Sequence, residues 1–179
     1  MKSSIILITV VLLVSACAEE STTITQKYFD LSTVIQSQIK ILNNKKPSFT
    51  KTVWDENTPE TKTIIIQDWA KELELFLQAD LNKPAYLNSY EVIETDTLLN
   101  YRLKSTENLP VKSLTIHKVD GKLESIEATV QNKNYLYESN KQIRLHLADG
   151  QVDSYFINGT QQLVFGDKKV FKIEAKLKK

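Results

Sequence analysis

Residues 111–130 read VKSLTIHKVDGKLESIEATV, and their pattern indicates the architecture of most of the chain. Apolar side chains alternate with polar ones, with Leu114 and Ile116 in the first half and Ile126 in the second. Strict alternation is typical of a strand with one buried face. Asp120-Gly121 separates the two halves, and Asp-Gly is a strong signal for a two-residue hairpin turn. The segment is therefore predicted to be an antiparallel hairpin with one apolar face.

The same alternation extends from Tyr90 to the C-terminus. Further hairpin signals are Asp149-Gly150, Asn158-Gly159 and Gly166-Asp167, so all four glycines lie at predicted hairpin tips. The predicted strands lie near residues 90–95, 98–105, 111–119, 122–131, 134–138, 141–148, 151–157, 160–165 and 168–177. Together they predict an antiparallel meander.

The N-terminal half has helical periodicity instead. Residues 28–42 carry one apolar stripe, which predicts an amphipathic helix. A second helix is predicted from about Pro59 to Ala79, although the β-branched residues 63–66 disfavour its first half. The alternative is a hairpin of residues 48–66 followed by a helix capped by Asp68. The predicted fold class is α+β, with two N-terminal amphipathic helices packed on a curved antiparallel meander sheet of about 7–9 strands.

The first twenty residues have the features of an export signal. Lys2 is followed by an apolar run from Ile5 to Val14, which is shorter than the roughly 20 residues that span a bilayer. A positive start, a short apolar run and then small residues are typical of a secretory signal peptide. The run ends in Val14-Ser15-Ala16-Cys17, and Cys17 is the one cysteine in the sequence.

Val14, Ser15, Ala16 and Cys17 resemble the lipobox of bacterial lipoproteins. That resemblance implies a type II signal peptide over residues 1–16, a lipid on Cys17, a lipidated tether over residues 17–25 and a single α+β domain over residues 26–179. Two or three acyl chains hold a protein on a membrane far more firmly than one does. The alternative is an ordinary signal peptide with a chance cysteine.

A second resemblance concerns the stretch from Trp69 to Phe76, continuing through residues 81–90. It is similar to a block in uncharacterised Bacteroidota envelope lipoproteins, which implies no particular activity. Ala18, where inner-membrane lipoproteins carry Asp, implies sorting to the outer membrane, with the periplasmic side favoured over the cell surface. Asp96-Thr97-Leu98 resembles the O-glycan acceptor of such proteins, which implies Thr97 as the acceptor.

Charge and residue usage exclude several classes of function. Without residues 1–16, the remaining 163 residues carry 22 basic and 22 acidic side chains, and this balance argues against nucleic acid as a partner. His117 and His146 are predicted on the polar face of different strands, so neither a metal nor another cofactor is expected. The glycines lie at predicted turns, so no phosphate-binding loop is expected either.

Four residues form the predicted binding groove, where the second helix meets the sheet: Trp69, Lys83, Tyr86 and Tyr90. Aromatic and polar groups that converge at such a junction are typical of pockets. The alternative places Trp69 in the core and makes residues 80–86 a simple helix exit.

These observations predict a non-enzymatic binding or adaptor protein held at the outer membrane through Cys17, with an envelope protein or a lipid as its partner. An alternative is a carrier or chaperone for lipid or lipoprotein that uses a cleft between helices and sheet. A third is a glycan-active enzyme, which requires two facing acids about 5–9.5 Å apart. Glu72 and Asp80 are the candidates for that pair.

Overall fold

A computed structural model describes residues 26–55 and 58–178. The elements in chain order are helix α1 (Leu31–Lys45), strands β1 (Ser48–Asp55) and β2 (Thr58–Ile65), the short helices α2 (Trp69–Glu72) and α3 (Glu74–Gln78), a 3-10 turn (Pro84–Tyr86), and strands β3 (Tyr90–Glu94), β4 (Leu98–Leu103), β5 (Val111–Val119), β6 (Lys122–Lys133), β7 (Tyr137–Ala148), β8 (Gln151–Leu163) and β9 (Lys169–Leu177). The nine strands form one antiparallel sheet in the order β2-β1-β9-β8-β7-β6-β5-β4-β3. The molecule is therefore a sheet-dominated α+β structure.

The meander from β3 to β9 confirms the prediction from alternation. In the β5–β6 hairpin, Leu114 lies opposite Ala128 and Ile116 lies opposite Ile126, so their side chains share the buried face. Asp120 has φ 51° and Gly121 has φ 72°, as a type I′ turn requires. The turn at residues 149–150 has the same pair of positive φ values.

Gly159 contradicts the prediction of a turn at Asn158-Gly159, because β8 runs unbroken through it. A Cβ atom at Gly159 would lie 2.5 Å from the ring of Phe171 on the neighbouring strand. The glycine is therefore needed for close packing across strands, which is a second reason for glycine within a strand. The predicted break between residues 138 and 141 is also absent, since β7 runs from Tyr137 to Ala148.

The predicted second amphipathic helix is not confirmed. Residues 58–65 form β2, so the hairpin alternative is the one that the structure contains. The β-branched side chains of this segment suit a strand better than a helix. Only residues 69–78 are helical, as α2 and α3, and Asp68 caps α2 by accepting a hydrogen bond from Lys71 N at 3.0 Å.

Helix α1 confirms the first predicted helix. Asp30 caps its N-terminus by accepting a hydrogen bond from Thr33 N, and the helix buries Leu31, Ile35 and Leu42 against the sheet. Gln38 fixes the far half, since its side chain donates to Gly150 O and accepts from Val152 N, both at 3.0 Å.

Two ends of the sheet can now be defined. The lower end carries the turns at 120–121 and 149–150, and α1 finishes there. The upper end is where β3 and β5 begin and where β6 and β8 finish. The inner face of the sheet, covered by the helices, holds the hydrophobic core. Among the described residues, no helix has the length and apolar character to span a membrane.

Candidate binding groove between helices and sheet

An open groove of about 610 Å³ lies between α2–α3 and the inner face of the sheet at β1, β2, β8 and β9. We call it the helix–sheet groove. Half of its twelve lining residues are aliphatic and come from both layers: Ile64, Ile65, Ile66, Leu75, Ile157 and Ile173. Charged side chains of the lining belong to β1 and to the α2–α3 region: Lys51, Asp68, Lys71, Glu72 and Glu74. An apolar depression bordered by a few polar groups is the usual form of a ligand site.

One carboxylate in the groove is held by two donors. Glu72 Oε1 lies 2.5 Å from Lys51 Nζ, and the same oxygen accepts a hydrogen bond from the Tyr155 hydroxyl. The Lys51 and Glu72 side chains are 19% and 18% exposed, so solvent screens this ion pair much less than it screens a surface pair. The trio joins α2 to β1 and β8; Lys51 and Glu72 line the groove, and Tyr155 is buried beside it.

Tyr155 remains a hydrogen-bond donor in this arrangement. Burial raises the pKa of its hydroxyl far above the usual value, and the hydrogen bond to Glu72 and that residue's negative charge raise it further. A hydroxyl that stays protonated does not serve as a base. The Tyr155 hydroxyl therefore acts as a fixed hydrogen-bond donor to Glu72.

Trp69 packs in the core instead of lining the groove. Its side chain is fully buried, and its ring lies 5.0 Å from that of Phe49 at an interplanar angle of 65°. Its indole Nε1 has no hydrogen-bond partner among the described residues. Trp69 thus secures α2 to β1 beside the groove and takes the position that the core alternative gave it.

Lys83, Tyr86 and Tyr90 do lie together, although the two tyrosines are buried. They belong to a group of four rings, which we call the tyrosine cluster: Tyr28, Tyr86, Tyr90 and Tyr101. Lys83 Nζ lies 5.0 Å from the centre of the Tyr86 ring. The structure therefore groups three of the four predicted groove residues in a packed cluster, at a distance along the sheet from Trp69.

Each buried hydroxyl of the cluster has a partner in the backbone. Tyr28 OH donates to Tyr86 O at 3.2 Å, and Tyr90 OH donates to Val111 O at 2.9 Å. Tyr101 OH accepts from Phe29 N at 2.9 Å. These bonds connect the segment before α1 to β3, β4 and β5.

Asn82 is a residue whose importance the sequence did not indicate. Its Oδ1 accepts from the backbone N–H groups of Lys27 and Tyr28, at 3.1 and 3.0 Å, and its Nδ2 donates to Tyr28 O and Phe29 O. The side chain thereby attaches the chain before α1 to the loop after α3. Its position between Leu81 and Lys83 suggested only a helix end.

The proposed catalytic acids have separate environments. Glu72 contacts Lys51 and Tyr155, whereas Asp80 lies beside Asn82, where burial raises the pKa of its carboxyl above the usual value. His117 and His146 are about two-fifths exposed on the outer face, as predicted. Within residues 26–55 and 58–178, no group of three or more His, Cys, Asp or Glu side chains is placed to hold a metal ion.

The remaining predicted residues are simply located. Thr97 is exposed in the turn between β3 and β4. Val14, Ser15, Ala16 and Cys17 lie outside the described residues.

A second concavity of about 580 Å³ lies on the outer face beside Phe156, where Arg144, His146 and Lys176 mix with Glu174.

Comparison with protein-family models, with curated proteins and with solved structures found no match to this chain.

Proposed function

We propose that the protein is a non-enzymatic binding protein of the bacterial envelope, held at the outer membrane by a lipid on Cys17, and that it receives an apolar ligand in the helix–sheet groove. The observation that carries the proposal is a groove with an aliphatic floor that remains open between two layers otherwise packed together. Exposure of apolar surface to water is unfavourable, so a ligand that covers this surface gains favourable binding free energy.

The composition of the groove supports an acyl chain with a polar head group as the ligand. Ile64, Ile157 and Ile173 offer aliphatic contacts to a chain. Lys51 and Glu72 are polar groups of the lining, and the ammonium hydrogens of Lys51 that Glu72 does not accept can donate to a polar head group. This combination suits a carrier for lipid or for an acylated protein.

Native mass spectrometry of residues 18–179 tests the ligand. Among the described residues, the buried core side chains lie between Tyr28 and Ala175, so residues 18–179 retain all of them. It is exported behind an ordinary cleavable signal and purified from the periplasm without harsh detergent. We expect a retained lipid or acyl compound in wild type and its loss in Leu75→Trp, which fills the groove.

Val119→Trp is the matched control, because Val119 is half-exposed on β5 at the lower end, away from the groove. It should retain the ligand as wild type does. A ligand-free mass for wild type, or equal retention in both variants, would reject the groove as a lipid site.

An adaptor for another envelope protein is the second candidate, and strand β2 supports it. β2 is an edge strand with one partner, and Ile65 beside the groove is 47% exposed. An extended segment of another protein can add to such an edge through backbone hydrogen bonds and place side chains in a neighbouring depression. Crosslinking in cells from a probe at position 62 tests whether β2 binds another protein. The adaptor function requires that the probe gives one defined crosslinked band.

Cys17→Ser tests the anchor independently of the groove. We expect the variant to remain an uncleaved precursor without acyl mass. A mature-sized Cys17→Ser band in the membrane fraction would contradict the lipobox interpretation.

A further inference from the structure

Two neighbouring hairpin tips at the upper end of the sheet carry unusually exposed apolar side chains. They are the turns after β6 and after β8, and their residues are Tyr135, Leu136, Leu163, Val164 and Phe165. Tyr135 is 84% exposed and Phe165 is 94% exposed, so neither ring is covered by the described parts of the chain.

The two tips form one surface, which we call the apolar tip. Val164 N donates a hydrogen bond to Leu136 O at 3.0 Å, and Leu163 lies opposite Tyr137 in the β7–β8 ladder. The five side chains therefore project from adjoining backbone. A contiguous exposed apolar patch indicates an interaction surface, whereas isolated exposed apolar residues do not.

The turns at the lower end show that apolar residues are not required by the hairpins. Those turns consist of Asp120-Gly121 and Asp149-Gly150, followed by the polar residues Lys122 and Gln151. The preceding Val119 is half-exposed, but neither turn contains an aromatic residue. The apolar tip is thus a property of one end of the molecule.

The described chain starts near that same end. Tyr28 packs against Tyr90 with ring centres 5.6 Å apart, and Tyr90 OH donates to Val111 O, so the start of α1 lies where β3 and β5 begin. Cys17 precedes Gln26 by nine residues, which span at most about 30 Å when fully extended. An acyl group on Cys17 therefore keeps the upper end close to the membrane.

We propose that the apolar tip inserts into the interface of the same bilayer that holds the Cys17 lipid. The inference rests on the proposed lipid anchor. Aromatic and aliphatic side chains at a projecting tip suit the boundary between head groups and acyl chains. Lys168 and Lys169 stand exposed beside the tip, where they match anionic head groups, whereas Lys133 is paired with Glu138 at 3.0 Å.

The test measures tryptophan fluorescence of the lipidated protein in vesicles. Phe165→Trp and the lower-end control Val119→Trp are purified with their anchor and reconstituted in phosphatidylethanolamine–phosphatidylglycerol vesicles that contain brominated acyl chains. The wild-type signal from Trp54 and Trp69 is subtracted. We expect bromine to quench the tryptophan at position 165 several-fold more than the one at position 119, together with a blue shift.

Two further measurements distinguish failure of the lipid anchor from failure of tip insertion. The intact mass reports whether Cys17 is acylated, which tests the anchor itself. Both variants are also made as residues 18–179 and mixed with excess vesicles, so that the tip is tested without an anchor. Equal quenching at both positions, or none at position 165 in either form, would overturn insertion of the tip. A concentration-dependent blue shift without vesicles would instead show self-association and would also overturn it.

Discussion

The tyrosine cluster and the helix–sheet groove lie on the same inner face, yet only one of them is closed. At the cluster, four aromatic rings meet with three centre-to-centre distances between 5.4 and 6.2 Å, and the hydroxyls of Tyr28, Tyr90 and Tyr101 bond to backbone groups. At the groove, the single-turn helices α2 and α3 leave Ile64 and Ile173 of the sheet only partly buried. Large rings from β3, β4 and the neighbouring loops fill space that short helices cannot, so the cluster gives rigidity and the groove leaves room for a ligand.

Truncation of a cluster ring should have the largest effect. Tyr101→Ala removes a ring that is 4% exposed and should lower the free energy of unfolding by about 3–5 kcal/mol, as loss of a buried aromatic ring does. Leu75→Ala in the groove should cost well under half as much, because Leu75 is partly exposed. Urea unfolding measures both. Equal losses would mean that the groove is packed as tightly as the cluster.

Breaking the buried ion pair should come next. Glu72→Gln leaves Lys51 without its carboxylate in a poorly solvated position, at a cost of about 2–3 kcal/mol. The double variant Lys51→Met/Glu72→Gln should recover part of this loss, because the unpaired charge is gone. Thermal and urea unfolding of the two single variants and the double variant give the coupling.

The exposed pair Lys62–Glu60 is the matched control, with the same 2.5 Å separation but side chains that are 68% exposed. Glu60→Gln should leave the unfolding curve unchanged. A loss as large as that of Glu72→Gln would show that burial is not the reason for the effect.

Alkaline pH should destabilise both regions. The cluster should lose more stability, because it contains more of the tyrosines whose pKa is raised. Burial raises the pKa of Tyr86, Tyr90 and Tyr101 in the cluster and of Tyr155 in the groove above the ordinary value of 10.0. The unfolded chain ionises first, so this stability is complete below pH 10 and falls as pH rises toward the folded pKa values. Each group contributes at most about 1.4 kcal/mol per pH unit.

Urea unfolding on both sides of pH 10 measures this slope. Tyr155→Phe should remove one group's contribution to the slope of unfolding free energy against pH. Tyr90→Phe should remove an equal contribution from the cluster. If stability were independent of pH across this range, the tyrosines would ionise alike in both states and the burial argument would fail.

Loss of the cation over the cluster should have the smallest effect. Lys83→Met removes a charge 5.0 Å from the Tyr86 ring and a 2.7 Å hydrogen bond to Gln78 O, and should cost about 1 kcal/mol. Lys40→Met on the exposed side of α1 is the control and should be neutral. If the two variants unfold alike, Lys83 contributes nothing to the stability of the tyrosine cluster.

The sequence predicted the strands, turns and helix that depend on residues close together along the chain. Alternation and the Asp-Gly pairs located β5, β6 and their turn, and helical spacing located α1. It failed at Gly159, which avoids the ring of Phe171 on a neighbouring strand. For residues 58–65 the β-branched run left a helix and a hairpin open, and the structure contains the hairpin with β1.

The groove was harder to foresee than the fold for the same reason. Lys51, Glu72 and Tyr155 come from β1, α2 and β8, and nothing in their local sequence marks them as partners. Trp69 drew attention as a large aromatic residue beside charges, which describes a core residue of an amphipathic segment equally well. Lys83, Tyr86 and Tyr90 are close in sequence and pack together, but in a buried cluster rather than in a groove with Trp69.

The pairing of β1 with β9 has a consequence for the order of folding. Phe49 lies opposite Leu177, so the first hairpin joins the sheet through the last strand of the chain. Contacts between residues so far apart in sequence form slowly, because loop closure must precede them. Until β9 is available, the β1–β2 hairpin therefore has no partner in the rest of the sheet. Completion of the nine-stranded sheet thus waits for the last strand of the chain.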